Sequence, residues 1–391
     1  MRTTRTRGRR PAAPRALIAP AILASALVAT AAAGVLAGGR PVTALSSANQ
    51  ATAGGKTVIA RTVAKSSGWR VVTTVGPDNE DVSGTLAANS AAGAWSVWTG
   101  AHYTAVQRLV GAEWTPVPIP AKLTGYVRTA VAFDGDSAGD FWLFNSYRGN
   151  HALRFTGSKW TLQQIPAWVL PQRSGGHGLS AVTTSVFSPD NVWVFGLGAG
   201  PYAAHYNGRA WSKVRLPAAP DEVSAVSPDD IWALRGNTAW YGDGQTWTPT
   251  RIPTVTGDPP EGFGDLTATA RDSAWVWRTV LSPGPEPESD VLHWNGASWR
   301  PVSGSPAENI ASVTPDGSGG LWATGTDAVP GGPNLFYHLT SGRWTEVNPP
   351  AGTWDQAPES LTWIPGTHSV WGTATGRTHN GVYSELIKYG P

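Results

Sequence analysis

Tryptophan recurs in this chain in two interleaved registers, and few folds accept such a pattern. One register runs Trp95, Trp142, Trp193, Trp232, Trp275, Trp322 and Trp371, at spacings of 47, 51, 39, 43, 47 and 49. The other runs Trp69, Trp114, Trp160, Trp211, Trp247, Trp299 and Trp344, at spacings of 45, 46, 51, 36, 52 and 45. Each register has seven members, and together they place 14 of the 21 Trp. Self-similarity at such a period marks a repeat architecture, in which each unit is one supersecondary element that cannot bury its apolar surface alone.

The third unit shows that element. Residues 179–187 (LSAVTTSVF) read as a first strand of small and β-branched residues, and Ser188-Pro189-Asp190-Asn191 reads as a turn with Pro at the position whose φ it presets. VWVFGLG is a second strand, AAHYN a third, Gly208-Arg209 a tight turn, and AWSKVRLP a fourth. The turn-plus-Trp element returns as TGSKW, NGRAW, DGQTW, NGASW and TSGRW, and the Pro-closed end as PIP, QIP, RLP, RIP and NPP. Four short strands per unit predict an all-β, seven-bladed β-propeller with four antiparallel strands per blade over residues 67–391. The chain ends Lys388-Tyr389-Gly390-Pro391, a third strand and turn without its Trp strand, while Ser67-Gly68-Trp69-Arg70-Val71-Val72 supplies one at the start. An amino-terminal strand is therefore expected to close the last blade and leave no open edge. All fourteen register Trp are assigned to structure, because large flat side chains fill the wedge between sheets.

The amino terminus reads as an address. Residues 1–15 carry six Arg and no acid, and Ala16–Gly39 has no charge. A basic start, an apolar run and small residues beyond it read as a secretory signal over 1–44, with Val42-Thr43-Ala44 as the cleavage triplet. The other reading is an uncut anchor, since the uncharged run is long enough to span a bilayer. Residues 45–66 are a flexible tether of small residues. Removing the seven Arg of 1–44 from a net charge of +2 leaves −5. A mildly acidic body without a basic stripe excludes nucleic acid as the expected partner. Zero Cys excludes a disulfide scaffold, thiolate metal sites and a cysteine nucleophile.

On the segments DNVWVFG, AAHYNGRAW and SKVRLP, the chain resembles kelch and galactose-oxidase-type propellers, although the doubled Gly that ends the second kelch strand is missing at Val194-Phe195-Gly196-Leu197. Asp243-Gly244-Gln245-Thr246-Trp247 is similar to the Asp-box hairpin of sialidase-type repeats, with the acid one residue too close to the Trp. The closest resemblance is to Trp-rich secreted propellers of high-GC bacteria. The copper site of galactose oxidase requires a Cys cross-linked to Tyr, so the resemblance does not extend to that cofactor. Arg251-Ile252-Pro253 looks like the sialidase Arg-Ile-Pro motif, but Ile-Pro and Leu-Pro close several fourth strands, and the match is a product of the repeat.

Chemical candidates are few. His205, His293 and His338 hold nearly one place in three different blades and read as repeat decoration. Asp140, Asp190, Asp229, Asp230 and Asp272 precede second-strand Trp residues, where turns explain them. The run Asp134–Asp140 has the alternating acids of a calcium loop but lacks a ligand at Ala138 and has Asn145 at the distal position. Trp98, Trp240, Trp277, Trp294 and Trp363 fit within strands, leaving Trp168 and Trp354 in inter-blade loops. Fourth-to-first and second-to-third connections emerge on one face, where propeller ligands are expected. Trp168, Trp354, Tyr147, Arg148, His177 and Asp355 are the candidate ligand-binding residues there, with Tyr126, Phe263 and His379 on the same face. An aromatic on such a loop either stacks on a sugar or anchors a partner, or else covers the end of a blade, which is the expectation slightly favoured for Trp168 and Trp354.

The expected function is non-catalytic recognition: a secreted, monomeric propeller, without cofactor or metal, presenting its loop face to a glycan or an extracellular protein. The rival is a secreted carbohydrate-active enzyme, hydrolase or lyase, working at the mouth of the central channel with loop acids such as Asp258, Glu261, Asp355 or Glu359. A third reading, a structural surface protein held at the membrane, requires the signal to stay uncut. A buried carboxylate or His of shifted pKa at the channel mouth favours the enzyme, and an exposed Trp168–Trp354 shelf favours a lectin-like role.

Overall fold

The computed structural model describes residues 68–75, 82–145, 150–170, 182–196, 200–253, 263–280, 288–302, 309–326, 334–347, 360–378 and 381–391. The chain divides into two units, Met1–Thr57 and Val58–Pro391, and every described residue belongs to the second. The signal expected over 1–44 and the tether over 45–66 lie outside the described residues. No described helix is long and apolar enough to cross a membrane.

Seven four-stranded antiparallel sheets follow one another along the chain. Blade 1 spans 83–116, blade 2 130–164, blade 3 182–215, blade 4 222–251, blade 5 263–301 and blade 6 309–347. Blade 7 takes its first three strands from Ser360–Trp363, Val370–Thr378 and Gly381–Tyr389, and its fourth from Trp69–Val75. That last strand, β1, pairs Trp69 with Tyr389 and Val75 with Ser384, with a bulge between Val71 and Thr73. The expected closure is present, and the two ends of the propeller share one sheet.

The two Trp registers are the two halves of each seam. Seven clusters of buried apolar residues are shared between consecutive blades. Each receives the second-strand Trp of one blade and the fourth-strand Trp of the next. Between blades 2 and 3, Trp142 meets Trp211 edge to face at 6.0 Å and 89°. Trp232 meets Trp299 at 6.0 Å, Trp322 meets Trp69 at 5.2 Å, and Trp371 meets Trp114 at 5.4 Å, all near perpendicular. Such pairs contribute about 0.5–1.5 kcal/mol beyond their area burial. All seven second-strand Trp are buried, whereas Trp114, Trp160, Trp211, Trp247 and Trp344 on the outermost strands are half-buried. Close packing also fixes small residues: a Cβ on Gly135 would overlap the Trp95 indole.

The first strand of every blade is innermost, and its free edge needs hydrogen-bond partners. Side chains of neighbouring blades supply them. The Val186 amide donates to Asp134 Oδ2 at 2.8 Å, the Ala268 amide to Ser224 Oγ at 3.0 Å and the Trp363 amide to Thr314 Oγ1 at 2.9 Å. In each case the acceptor lies one blade before the donor. Across the closing seam, Thr373 Oγ1 donates to the Gly84 carbonyl at 3.0 Å.

Candidate functional site

The antiparallel order puts the first-to-second and third-to-fourth turns on one face and the other connections on the opposite, loop face. On that loop face the connection from blade 1 to blade 2 folds into a short 3-10 turn, Ala121–Leu123, and one helical turn, Thr124–Val127. Leu123 and Val127 anchor it in the core between these blades. Asn145, at the end of the second strand of blade 2, donates from Nδ2 to the Tyr126 carbonyl at 2.6 Å and to Thr129 Oγ1. Arg128 is thereby held exposed at the rim, with Nε donating to Thr104 Oγ1 at 2.8 Å.

Beside it the inner strands of blades 1, 2 and 3 enclose a hollow of about 380 Å³. Hydroxyls of Ser83, Thr85, Thr99 and Thr183 line it together with Arg128 and the exposed Val131. The lining combines a guanidinium and several hydroxyl residues with apolar side chains that include Leu86, Val97, Val131 and Phe133. That is the make-up of a small-ligand site, and the volume lies in the range of about 300–1,000 Å³ of such pockets. None of these residues stands among the loop aromatics singled out from sequence, because the hollow is made by strand ends that meet only once the ring has closed.

Blades 4 and 5 present carboxylates at the same end of the channel. Glu222 opens the first strand of blade 4, Glu222–Ser227, and Asp265 sits in that of blade 5, Phe263–Ala270. Burial, with Asp265 and Asp221 alongside, pushes the Glu222 carboxyl up to about 8. Burial pushes Asp265 up to about 7, against the Leu266 amide that donates to it at 2.7 Å. Asp221 is paired with Arg235. Asp134 reaches about 7 for the same reason of burial, while accepting from the Val186 and Gly135 amides. Its role is structural, so a raised carboxyl in this ring is not by itself a sign of chemistry.

On the opposite face each second-strand Trp lies under its cross-strand neighbour from the third strand. Arg108 covers Trp95, Arg154 covers Trp142 and Lys388 covers Trp371, with charge-to-centroid distances of 5.6, 4.9 and 5.3 Å. His205, His293 and His338 stack on Trp193, Trp275 and Trp322 at 4.4, 4.6 and 4.0 Å, and Tyr241 packs on Trp232 at 5.0 Å. The three His thus belong to a sevenfold pattern whose other members are Arg108, Arg154, Tyr241 and Lys388.

Of the ligand-binding residues expected from sequence, the described part contains Trp168 alone. Trp168 is half-buried against the core between blades 2 and 3, with the Lys213 ammonium 5.3 Å from its ring and 4.8 Å from that of Tyr202. Trp354, Tyr147, Arg148, His177 and Asp355 lie outside the described residues, as do His379 and the loop acids Asp258, Glu261 and Glu359. Tyr126, within the helical turn, is half-buried against the core between blades 1 and 2. Trp98, Trp240, Trp277, Trp294 and Trp363 all fall within strands. In the Asp134–Asp140 run, Asp136 accepts the Asp140 amide at 2.8 Å and Asp140 pairs with Arg154 at 2.9 Å, so the protein itself uses these oxygens. Among the described residues no three His, Asp or Glu side chains gather as metal ligands. Ile252 of the Arg-Ile-Pro segment is buried in the core, as the repeat requires.

No family model and no curated protein matches the sequence. Solved structures do match in fold. YCF48 bound to a D1 peptide superposes with a TM-score of 0.50 at 13% identity, over 83% of this chain and 97% of that one. A Mycobacterium tuberculosis puromycin-hydrolyzing peptidase gives 0.47 at 14% identity, over 77% of this chain and 52% of that one. The six-bladed Aleuria aurantia lectin gives 0.38 at 14% identity, over 71% and 99%. At 13% identity the likeness to YCF48 is one of fold alone, and the blade count of this chain is seven.

Proposed function

We propose that this protein is a secreted recognition propeller that binds a glycan or an extracellular protein at the mouth of its channel, in the hollow of blades 1–3. The observation that carries the reading is the lining of that hollow: Arg128 and several hydroxyls converge on one cavity of about 380 Å³, on strands that do not need to move. A guanidinium at the rim favours ligands carrying a carboxylate, such as an acidic sugar or an acidic side chain. YCF48, solved with a peptide, is a propeller of similar extent, which is compatible with a peptide ligand here.

Glycan and peptide arrays probed with the protein test this reading. Binding is expected to favour acidic members and to weaken about tenfold or more in Arg128→Ala, the loss of a charged hydrogen bond of about 1.5–3 kcal/mol. Equal binding by parent and variant would remove the hollow as the site.

A second reading rests on Glu222 and Asp265. The two stand near the start of the first strands of neighbouring blades, with Asp265 close enough to help raise the Glu222 carboxyl, and a pair of carboxyls is what glycoside hydrolysis uses. Release of reducing ends from array-positive glycans, abolished in Glu222→Gln, would make the protein an enzyme. Intact glycans after long incubation would leave it a binder.

A further inference from the structure

The hollow of blades 1–3 changes its chemistry from the rim inward. Its walls are first strands that run in the same sense from the loop face, through 83–87 of blade 1, 130–133 of blade 2 and 183–184 of blade 3. At the outer end Ser83 pairs across the strands with Thr99, and both line the hollow, as do Thr85 and Thr183. Further along the same strands stand Leu86, Val97 and Phe133, which belong to the packed cores on either side of blade 1. Hydroxyls therefore surround the entrance, and apolar side chains form the inner wall.

Just beyond this wall the three blades are tied together. Asn89, which follows the first strand of blade 1, donates from Nδ2 to the Val186 carbonyl of blade 3, and Asp134 of blade 2 accepts the Val186 amide at 2.8 Å. The strands are drawn together there, so the hollow receives the end of a ligand and does not thread one through.

Arg128 is the one charged residue of the lining. Its hydrogen bond to Thr104 Oγ1 uses Nε and leaves the two Nη groups to a carboxylate. The cation at the rim and the acid behind the inner wall both direct a ligand carboxylate outward. A sugar has hydroxyls on every edge, and seating it here would leave some of them against Leu86, Val97 and Phe133 without partners. Phe133 packs on Phe141 in the core, with ring centroids 5.8 Å apart, and does not stand free as a platform for a sugar ring. A fatty acid suits the inner wall but leaves the hydroxyls at the entrance idle, whereas the amides of a peptide can pair with them.

We infer that the hollow recognises the carboxyl terminus of a peptide chain that ends in an apolar residue. The terminal carboxylate lies on Arg128, the last side chain on the inner wall, and the preceding amides against the strand hydroxyls. The inference rests on the hollow being the binding site and narrows its ligand to one class.

Titration calorimetry on the full protein tests it with acetyl-Gly-Ser-Ala-Leu as free acid and as amide, the same free acid ending in Lys, decanoate and glucuronate. The Leu-ended acid is expected to bind saturably, and to be weakened about tenfold or more by amidation or by the Lys ending. In Arg128→Ala the acid is expected to bind no better than its amide, a loss of discrimination that a general loss of structure would not produce. No saturable binding of the Leu-ended acid, equal binding of its amide, or tighter binding of decanoate or glucuronate would overturn the inference. If decanoate or glucuronate binds more tightly and weakens in Arg128→Ala, the hollow stands as the site with a different ligand. If neither these probes nor the array ligands respond to Arg128→Ala, the hollow is lost as the site as well.

Discussion

The unit of cohesion in this propeller is a pair of side chains, an indole and the flat or charged group laid over it. In blades 1 to 6 the covering residue stands six positions before the fourth-strand Trp: Arg108, Arg154, His205, Tyr241, His293 and His338. That spacing was present in the sequence, but Arg, His and Tyr share no chemical label, and only their common geometry on the indole reveals the rule. Trp142→Ala is expected to cost about 3–5 kcal/mol, a large part of a stability of about 5–15 kcal/mol, read as a fall in denaturant midpoint. Arg154→Ala, which removes the Asp140 pair and the bond to blade 3, is expected to cost about 2 kcal/mol by the same measure. Glu222 makes the stability depend on pH. Its folded pKa of about 8 exceeds the unfolded value, so through the window between them the folded protein holds a proton that the unfolded chain has released. Stability from this group is complete at acid pH and is lost as pH rises toward 8. Glu222→Gln is therefore expected to melt above the parent at pH 8.5, with the gap closing by pH 5.

At the scale of elements, the seven blades solve the edge problem twice. Inner-edge amides of blades 3, 5 and 7 donate to oxygens of the preceding blade, and the outer edge of blade 7 is covered by β1, whose Trp69 packs on Trp322, Phe336 and Tyr389. Removing residues through Val75 is expected to abolish a single cooperative transition in calorimetry; a truncated chain that melts as sharply as the parent would show that closure by β1 is dispensable. The strands were legible because Trp marks the same two places in every repeat and Leu-Pro or Ile-Pro closes the fourth strand in four of them. The helical turn over Thr124–Val127 was not, since it occurs once and its sequence, TGYV, has no helical period. The hollow beside it was equally hidden. Ser83, Thr99, Arg128 and Thr183 are separated by up to 100 residues and carry no motif, and they converge only through the geometry of the ring.

For the whole molecule, the closed ring of first strands makes a rigid mouth with a guanidinium and hydroxyls on one wall and carboxylates of raised pKa on another. A rigid mouth binds without paying for reorganisation, and its chemistry is set by strand ends as much as by loops. The chain contains no cysteine, so a single thiol can be placed at will. Thr99→Cys sits in the hollow, and Val110→Cys on the 56% exposed Val110 site lies away from it. After alkylation with a bulky maleimide, array binding is expected to disappear for the Thr99→Cys protein and to persist for the Val110→Cys protein. Full binding by the alkylated Thr99→Cys protein would place recognition elsewhere on the ring.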